Sequence, residues 1–436
     1  MNTSATHRGA LTAAEPRNRT IRDGAAAEST PSEWEFRRVS DIVATPITDG
    51  PHLTPRFTSE GIPFLSVNNL VDNRIDTASL RYISLEDHRE YSRKCRPQKW
   101  DVLIGKAASV GKVAIVDFDW EFNIWSPIAV IRVGPPNLPL YVFYALQAPA
   151  VSRQIEYFTN SSSQGNIGMK DIGRLVLAMP PPDEQHTITE ALSNVDELLA
   201  ALDALIAKKR AIKRAAMQQL LTGRARLPGF SKKWNSARLG DITQIAGGAT
   251  PSTQVAGFWD GSIPWCTPTD ITREPGKYLR TTARTITREG LDSCGAALLP
   301  SGALLLCSRA TIGEVKIANV PVCTNQGFQS LVCRDSVDNE FLYYVILANK
   351  DSFIERAAGS TFLEIGRRDI ASVEFLLPAL DEQSAVATVL SDMDAEIAAL
   401  ERRREKTRAI KLGMMQQLLT GRIRLIAPPE TLEAFA

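Results

Sequence analysis

The feature that most constrains this sequence is an internal repeat with a fixed spacing of 198 residues. Residues 217–224 read MQQLLTGR, and residues 415–422 repeat the same eight letters. The same spacing relates the DEQ of residues 183–185 to the DEQ of residues 381–383, with no gap between these anchors. Because eight consecutive identities are hard to obtain by chance, the chain is predicted to contain two copies of one structural unit.

The similarity continues upstream, but its spacing drifts. Residues 34–42 (WEFRRVSDI) resemble residues 234–242 (WNSARLGDI), and residues 102–111 (VLIGKAASVG) resemble residues 304–313 (LLLCSRATIG). Drifting offsets indicate insertions and deletions in loops on a shared scaffold. Each copy is therefore predicted to have a variable first part of about 145 residues, here called a head, and a well-matched last part of about 40.

The well-matched part predicts a long helix. Residues 184–221 contain no Gly or Pro, and their apolar residues alternate steps of four and three, as in a coiled coil. Gly223 and Gly421 follow the two copies, and a glycine can adopt the left-handed conformation that ends a helix. About 38 residues would give a helix of roughly 57 Å. The predicted seam residues are Ile188, Leu192, Val195, Leu199, Leu202 and Ile206 in the first helix, and Val386, Leu390, Met393, Ile397 and Leu400 in the second.

The predicted fold class is α+β, with two tandem α/β heads, each followed by a long helix. Neither apolar seam is stable in water, so the helices are expected to pair as an antiparallel coiled coil with pseudo-two-fold symmetry and a head at each end. The alternative is two ordinary core helices in unrelated domains. The predicted boundaries are residues 1–33 for a disordered N-terminal extension, 34–179 for the first head, 180–224 for the central long helix, 225–378 for the second head, 379–424 for the C-terminal long helix and 425–436 for a tail.

Within the heads, short β-rich segments alternate with short apolar helices. Strands are predicted at residues 113–116, 128–131, 304–306 and 330–333, and helices at residues 141–146 and 341–347. Polar, glycine-containing loops lie between these elements, and such loops on a rigid scaffold commonly contact ligands.

Composition limits the classes of partner and compartment. Lys and Arg total 50 against 49 Asp and Glu, so any nucleic-acid surface must be local. The six cysteines form no CxxC pair, which favours buried free thiols in a reducing cytosol over a metal site. No uninterrupted apolar stretch approaches the roughly 20 residues that span a bilayer, and a cytoplasmic location is therefore predicted.

Catalytic motifs are missing from the sequence. Residues 105–112 superficially resemble a phosphate-binding loop, but the glycine spacing differs and Val113 stands where Ser or Thr is required. The prolyl segments lack the Asn/Asp-Pro-Pro-aromatic pattern of an adenine methyltransferase. His52, His88 and His186 have no nucleophile at a suggestive spacing. The chain is therefore predicted to be non-catalytic.

Two heads, each followed by a heptad helix ending in QQLLTGR, resemble the specificity subunit of type I restriction-modification enzymes. The resemblance covers residues 34–425. It implies that each head is a target recognition domain reading one half of a bipartite, asymmetric double-stranded DNA sequence. It also implies that the helices fix the spacer and dock two modification (methyltransferase) subunits and the restriction (translocase and endonuclease) subunits.

The same resemblance implies that this chain holds no cofactor. The assembled complex would use S-adenosylmethionine, ATP and Mg²⁺ through its other subunits. Trp100 stands at a turn position that is commonly glycine in the family.

Candidate DNA contacts are polar loop residues that align between the heads, because amide, hydroxyl and cationic groups bind base edges and phosphates. In the first head they are Asn68, Asn69, Lys106, Ser109, Lys112, Asn160, Ser161, Ser162, Ser163, Gln164 and Asn166. In the second head they are Thr267, Thr269, Ser308, Arg309, Thr311, Asn325, Gln326, Ser360 and Thr361.

Three questions stay open at the level of sequence. The basic cluster of Arg93, Lys94, Arg96 and Lys99 is consistent with a backbone grip or with a solvated surface. The basic ends of the long helices, such as Lys209 and Lys213, are consistent with partner docking, with spacer phosphates or with helix-dipole complementation. A repeat-built scaffold that binds only protein is the alternative function.

Overall fold

The computed structural model describes residues 30–159, 165–359 and 363–425, and these residues form two compact units. The first unit combines described residues up to 200 with those from 405 onward, and the second comprises described residues between 201 and 404. Each unit thus joins one head to parts of both long helices, which the sequence prediction had treated as separate segments. Residues 1–29 of the predicted N-terminal extension lie outside the described residues, and next to them Trp34 donates its backbone N–H to the Pro31 carbonyl at 3.1 Å.

The long helices span Pro182–Leu220 and Leu380–Leu418, with 39 residues each. Pro182 is the first residue of its helix, where a missing N–H costs nothing. Gly223 and Gly421 follow with φ of 69° and 70°, the left-handed geometry expected at these helix ends. The 198-residue repeat therefore also fixes where both helices begin and end.

The first head contains short strands arranged in small sheets. One four-stranded sheet has the order Thr48–Asp49, Ile128–Ile131, Val102–Gly105, Val113–Ile115, and another has the order Asn123–Ile124, Ile62–Leu65, Arg81–Ile83, Phe57–Thr58. Two-stranded pairs join Glu35–Arg38 to Val176–Met179 and Leu70–Val71 to Arg74–Ile75. The α-helices are Leu85–Ser92, Pro139–Ala145, Pro149–Phe158 and Met169–Arg174, and Val39–Asp41 and Val67–Asn69 are 3-10 turns.

The second head repeats this plan with longer strands. A five-stranded sheet has the order Thr243–Gly247, Gln329–Cys333, Leu304–Leu306, Val315–Ala318, Tyr278–Leu279, and a three-stranded sheet has the order Arg284–Ile286, Trp259–Cys266, Cys323–Thr324. Asn235–Arg238 pairs with Glu374–Leu377. The helices are Leu239–Ile242, Pro268–Arg273, Arg288–Asp292, Asn339–Ala348, Lys350–Glu355 and Arg367–Ser372, and Ala256–Phe258 is a 3-10 turn.

The short elements predicted from local pattern are confirmed. Strands occur at Val113–Ile115, Ile128–Ile131, Leu304–Leu306 and Gln329–Cys333, and helices occur at Pro139–Ala145 and Asn339–Ala348. Their side chains are largely buried, as expected for β-branched and apolar runs between turns.

The main core of each unit includes both long helices. In the first unit, Ile188 and Leu192 of the first helix pack in one cluster with Met415 and Leu418 of the second. In the second unit, Val386 and Leu390 share a cluster with Leu220. Three of the eleven predicted seam residues are half-buried and the other eight are buried. The half-buried ones are Val195, Met393 and Leu400.

The helix segments within a unit run antiparallel. In the second unit, Asp203 pairs with Arg404 at 3.2 Å, whereas Lys213, further along the first helix, pairs with Asp394 at 2.5 Å. One residue number rises as its partner's number falls, which defines opposite directions. The two-domain α+β class with paired long helices agrees with the prediction.

Trp100 has a φ of 72°, which is unusual for a bulky side chain. Gly302 occupies the matching turn of the second head with a φ of 88°. Both residues donate a 2.8 Å backbone hydrogen bond, Trp100 to the Val116 carbonyl and Gly302 to the Ala318 carbonyl. This left-handed turn geometry is one that glycine adopts without strain.

Candidate nucleic-acid interface

Four segments of the first head meet through backbone hydrogen bonds. Lys106 donates its N–H to the Pro127 carbonyl at 2.8 Å and accepts at its own carbonyl from Ile167 at 2.9 Å. Trp125 donates to the Leu65 carbonyl at 2.9 Å, next to the turn at residues 66–69. We define the first candidate surface as residues 66–69, 106–112, 125–127 and 165–168.

The second head assembles the equivalent segments with the same bonds. Ser308 donates its N–H to the Gly327 carbonyl at 2.9 Å and accepts from Ile365 at 2.9 Å. Asn325 donates to the Cys266 carbonyl at 3.0 Å. The second candidate surface is therefore residues 267–270, 308–314, 325–327 and 363–366.

The central loop of each surface has the same unusual backbone. Ala108 and Ala310 have φ of 61° and 63°, and Gly111 and Gly313 have φ of 84° and 82°. The two loops thus have matching backbone conformations at these positions but different side chains. Their sequences are KAASVGK at residues 106–112 and SRATIGE at residues 308–314.

Several predicted contacts are accessible on these surfaces. Asn68, Lys112 and Asn166 are exposed in the first head, and Ser109 is half-buried. In the second head the accessible candidates are Thr269 and Gln326, which are exposed, and Arg309 and Asn325, which are half-buried. These side chains supply amide, hydroxyl and cationic groups of the kind that bind base edges and phosphates.

Asn69 and Thr267 have hydrogen-bond partners within matching turns of the two heads. Asn69 is buried, and its side-chain oxygen accepts the Ser66 N–H at 2.9 Å. Thr267 donates its hydroxyl to Asp270 at 2.7 Å in the equivalent capping box. Both side chains therefore stabilise the start of a short helix.

Ser308, Thr311 and Lys106 are further candidates whose polar groups are largely buried. The Ser308 side chain is fully buried, and the Thr311 hydroxyl is buried without a hydrogen-bond partner among the described residues. The Lys106 ammonium lies 2.5 Å from Asp49, and the Lys106 side chain is only 12% exposed. Sequence alone could not distinguish these inward-pointing side chains from their exposed neighbours.

The remaining candidates lie outside the described residues and stay predictions. They are Asn160, Ser161, Ser162, Ser163, Gln164, Ser360 and Thr361.

Trp125 and Ser126 are surface residues that the sequence prediction missed. They are half-buried and occupy the positions of Asn325 and Gln326 in the second head. The signal was available, because an offset of 200 residues aligns the two pairs. Gln326 accepts a 2.5 Å hydrogen bond from the Thr250 hydroxyl, so the second head already orients this amide.

Most residues of the basic cluster in the first head pair with carboxylates of that head. Lys94 pairs with Asp49 at 2.5 Å, Lys99 pairs with Asp119 at 2.9 Å, and Arg96 pairs with Glu121. These pairs leave a weaker positive field than the sequence suggested.

Basic residues of the first long helix pair with the other helix in the second unit. Lys209 lies 2.6 Å from Glu396, Lys213 lies 2.5 Å from Asp394, and Arg210 pairs with Glu401. Pairing of the helices is thus a use for these cations that the sequence prediction had not weighed. Reversing the charge of Lys209 or Lys213 would disturb this pairing as well as any docking surface.

The described residues contain no group of three or more His, Cys, Asp or Glu side chains placed to hold a metal ion. Cys95, Cys266, Cys307 and Cys323 are buried free thiols. Burial raises the pKa of Cys307 to about 11, so this thiol stays protonated at neutral pH. In the part of the chain that the structure describes, no helix is both long and apolar enough to cross a membrane.

Comparison with known proteins identifies the family. The family model "Type I restriction modification DNA specificity domain" matches residues 31–212 and again residues 231–408. The chain belongs to this family, and its predicted resemblance to specificity subunits is confirmed.

Individual relatives carry the same description. The type I restriction enzyme MjaIX specificity subunit of Methanocaldococcus jannaschii is 37% identical over 187 residues, which cover 42% of this chain and 43% of that relative. The putative MjaX specificity subunit of the same organism is 25% identical over 418 residues, covering 91% and 95%. The EcoR124I/EcoR124II specificity subunit of Escherichia coli is 25% identical over 229 residues, covering 50% and 55%. These names agree with the predicted non-catalytic subunit.

Solved structures support the fold. The type I restriction-modification S subunit from M. genitalium superposes with a TM-score of 0.57 at 15% identity, covering 90% of this chain and 96% of that one. A chain from a study of complex assembly and conformational transition in the type I R-M system gives a TM-score of 0.59 at 19% identity, covering 90% and 99%. At such identities the likeness concerns the fold alone.

Proposed function

We propose that this specificity subunit recognises a bipartite, asymmetric double-stranded DNA target, with one half read by each candidate surface. The long helices set the number of unspecified base pairs between the halves, because half-site spacing follows from the geometry that joins two reading domains. The chain supplies recognition, and other subunits supply the chemistry.

The observation that carries this proposal is that the central loops of the two heads share a backbone conformation but have different side chains. The central loops agree in backbone conformation at Ala108 and Ala310, yet they differ in charge. Lys106 and Lys112 of the first loop align with Ser308 and Glu314 of the second. Two heads with a common fold but different surface side chains favour two different half-sites over a palindromic target.

The accessible polar groups on each surface fit base reading. Arginine binds the O6 and N7 atoms of guanine with two hydrogen bonds, and asparagine or glutamine binds adenine in the same way. Arg309 and Gln326 offer these groups in the second head, and Asn68 and Asn166 offer them in the first.

The partners in this proposal are two modification subunits and the restriction subunits. These would provide S-adenosylmethionine-dependent methylation and ATP- and Mg²⁺-dependent cleavage in the cytoplasm, while this chain holds no cofactor. The support for these partners is membership of the specificity-subunit family.

The test is a footprint of the complex of this chain with its modification subunits on a mixture of random-sequence duplexes. The proposal predicts two protected and sequence-enriched blocks separated by bases without preference. Arg309→Ala should relax preference in one block by about 1–3 kcal/mol and leave the other unchanged. A complex that assembles but enriches no sequence would favour the alternative, a scaffold that binds only protein.

A further inference from the structure

The first head contains a buried carboxylate held between two ammonium groups. Asp49 is fully buried, and its Oδ1 and Oδ2 atoms each lie 2.5 Å from a lysine Nζ, of Lys94 and Lys106 respectively. Lys94 also donates to the Gly50 carbonyl at 3.2 Å. His52 is the third neighbour, with its Nε2 3.5 Å from Asp49 Oδ2. With both lysines charged, the Asp49–Lys94–Lys106 group carries one net positive charge.

This group lies against the first candidate surface. Ser126, on that surface, donates its N–H to the Pro51 carbonyl at 3.2 Å, two residues beyond Asp49. Lys106 begins the central loop and is joined to Pro127 by its backbone N–H. The two lysines differ in access, because the Lys94 side chain is 50% exposed and the Lys106 side chain is 12% exposed.

The second head lacks this group at the matching positions. Asp49 pairs across its sheet with Ala129, and the equivalent strand pair in the second head joins Gly247 to Gln329. Ser308 occupies the position of Lys106, and its hydroxyl has no hydrogen-bond partner among the described residues. The Asp49–Lys94–Lys106 group therefore occurs in the first head and is not part of the structure that the two heads share.

We propose that Asp49, Lys94 and Lys106 form a phosphate-contact site in the first head, in which Lys94 touches a phosphodiester of the DNA backbone. This inference rests on the proposed DNA-reading function. Asp49 is the positioning residue, and Lys106 anchors the carboxylate from the opposite side. The site adds affinity at one half of the target and carries no base preference.

The chemistry favours a phosphate over a base edge. A lysine ammonium is a compact point charge that suits phosphate oxygens, whereas guanine reading favours the planar fork of arginine. Because Asp49 already fixes the Lys94 side chain, part of the entropic cost of ordering it does not recur on binding. The net charge of the group remains attractive to DNA.

The test measures the dissociation constant of the complex with its modification subunits at several KCl concentrations. Lys94→Met should make the negative slope of the logarithm of the association constant against the logarithm of the salt concentration shallower by about 0.9. This is the value for one phosphate contact. Affinity at physiological salt should fall about three- to tenfold, equally for the full target and for targets altered in either half. Lys94→Arg should restore most of the slope.

Asp49→Asn separates positioning from simple electrostatics. Removing a negative charge near DNA would strengthen binding if only the local field mattered, whereas loss of positioning weakens it. We expect weaker binding, with little added effect in the Lys94→Met background. Where Asp49→Asn unfolds the head, Lys94→Met decides alone, because it leaves the Asp49–Lys106 pair intact.

Lys99→Met is the matched control, because Lys99 also pairs with a carboxylate of the first head but lies outside the candidate surface. It should leave the slope unchanged. An unchanged slope for Lys94→Met, or a changed base preference at one position, would overturn the phosphate site. A wild-type complex without any site-specific binding would instead overturn the proposed function, so the two failures are distinguishable.

Discussion

The carboxylate of Asp196 accepts a 2.8 Å hydrogen bond from the hydroxyl of Tyr144. The other oxygen of Asp196 lies 2.7 Å from the Lys411 ammonium. This junction joins three parts of the first unit, namely the head through Tyr144, the first long helix through Asp196 and the second long helix through Lys411. The lysine also lies 5.4 Å above the tyrosine ring.

The second unit repeats this junction with other residues. Asp394 accepts from the Tyr344 hydroxyl at 2.7 Å and pairs with Lys213 at 2.5 Å. Burial raises the pKa of both tyrosines, Tyr144 and Tyr344, so that each remains a hydrogen-bond donor at neutral pH. Head and helices are therefore joined by the same chemistry in both units.

The first prediction concerns this junction. Lys411→Met should lower the free energy of unfolding by about 1–3 kcal/mol, because it leaves a half-buried carboxylate with fewer partners. Tyr144→Phe should cost about 1.5–3 kcal/mol through loss of one hydrogen bond to a charged group. Urea unfolding measures both. Additive effects in the double variant would contradict a shared junction.

The second prediction concerns a glutamate in the first turn of each long helix. Glu184 is 2% exposed, accepts from the Trp34 indole N–H at 2.9 Å and lies 2.7 Å from the Arg424 guanidinium. Glu184→Gln should destabilise the chain by about 3–5 kcal/mol, since it leaves a guanidinium without its buried partner.

Glu382→Gln is the matched variant in the second unit, where Glu382 binds the Trp234 indole and Arg226. We expect a loss of similar size in thermal unfolding. A loss below about 1 kcal/mol for both variants would contradict a stabilising role.

The third prediction is that a circular permutant folds. Arg424 lies 3.2 Å from Glu33, so the described ends of the chain are neighbours in the first unit. Arg424 donates to Glu184, which also accepts from the Trp34 indole. Arg226 donates in the same way to Glu382, which also accepts from the Trp234 indole. Residues 425 and 30 should therefore tolerate a short connection.

The permutant starts at Gly229, ends at residue 228 and joins residue 425 to residue 30 through two added residues. Seven residues then separate Arg424 from Trp34, as seven separate Arg226 from Trp234. We expect cooperative unfolding near the wild-type temperature. Opening the chain at residue 190, inside the first long helix, should abolish folding, and equal stability of both permutants would contradict the argument.

The fourth prediction concerns acid stability. Burial alone would raise the pKa of Asp49, but the hydrogen bonds and charges of Lys106 and Lys94 lower it below its ordinary value of 3.8. The folded state thus favours ionised Asp49, and this contribution is present above pH about 4 and is lost as the pH falls through the lowered pKa.

Asp49→Asn should therefore unfold more readily at pH 7 and lose less stability than the wild type between pH 5 and pH 2, measured by urea unfolding. Asp119→Asn is the control, because Asp119 is 78% exposed and paired with Lys99. A steeper acid loss in Asp49→Asn than in the wild type would show that the sign is wrong.

Sequence could predict the helices because their signal is local and periodic. The repeat at Met217 and Met415 fixed the register of both copies, and Gly223 and Gly421 marked the ends. The heads were less predictable, because the order of strands in a sheet depends on pairing between distant segments such as Thr48–Asp49 and Ile128–Ile131.

The candidate surfaces were predictable only where the two heads align. Asn68 and Asn166 are exposed as expected, but Asn69 turns inward to cap a helix. Asp49 had no sequence signal, because its lysine partners are 45 and 57 residues away and the second head has no counterpart. A buried ion pair between distant segments depends on how these segments pack in the fold, and a single sequence does not show that packing.

Methylated adenines can be mapped in host DNA with the natural chain and with the segment of residues 34–179 exchanged for another head. If each head reads its own half-site, the methylated motif will have two short and different specified halves separated by several free bases. The exchange should change one half only and keep the gap. A continuous or palindromic motif, or an exchange that alters both halves, would contradict it.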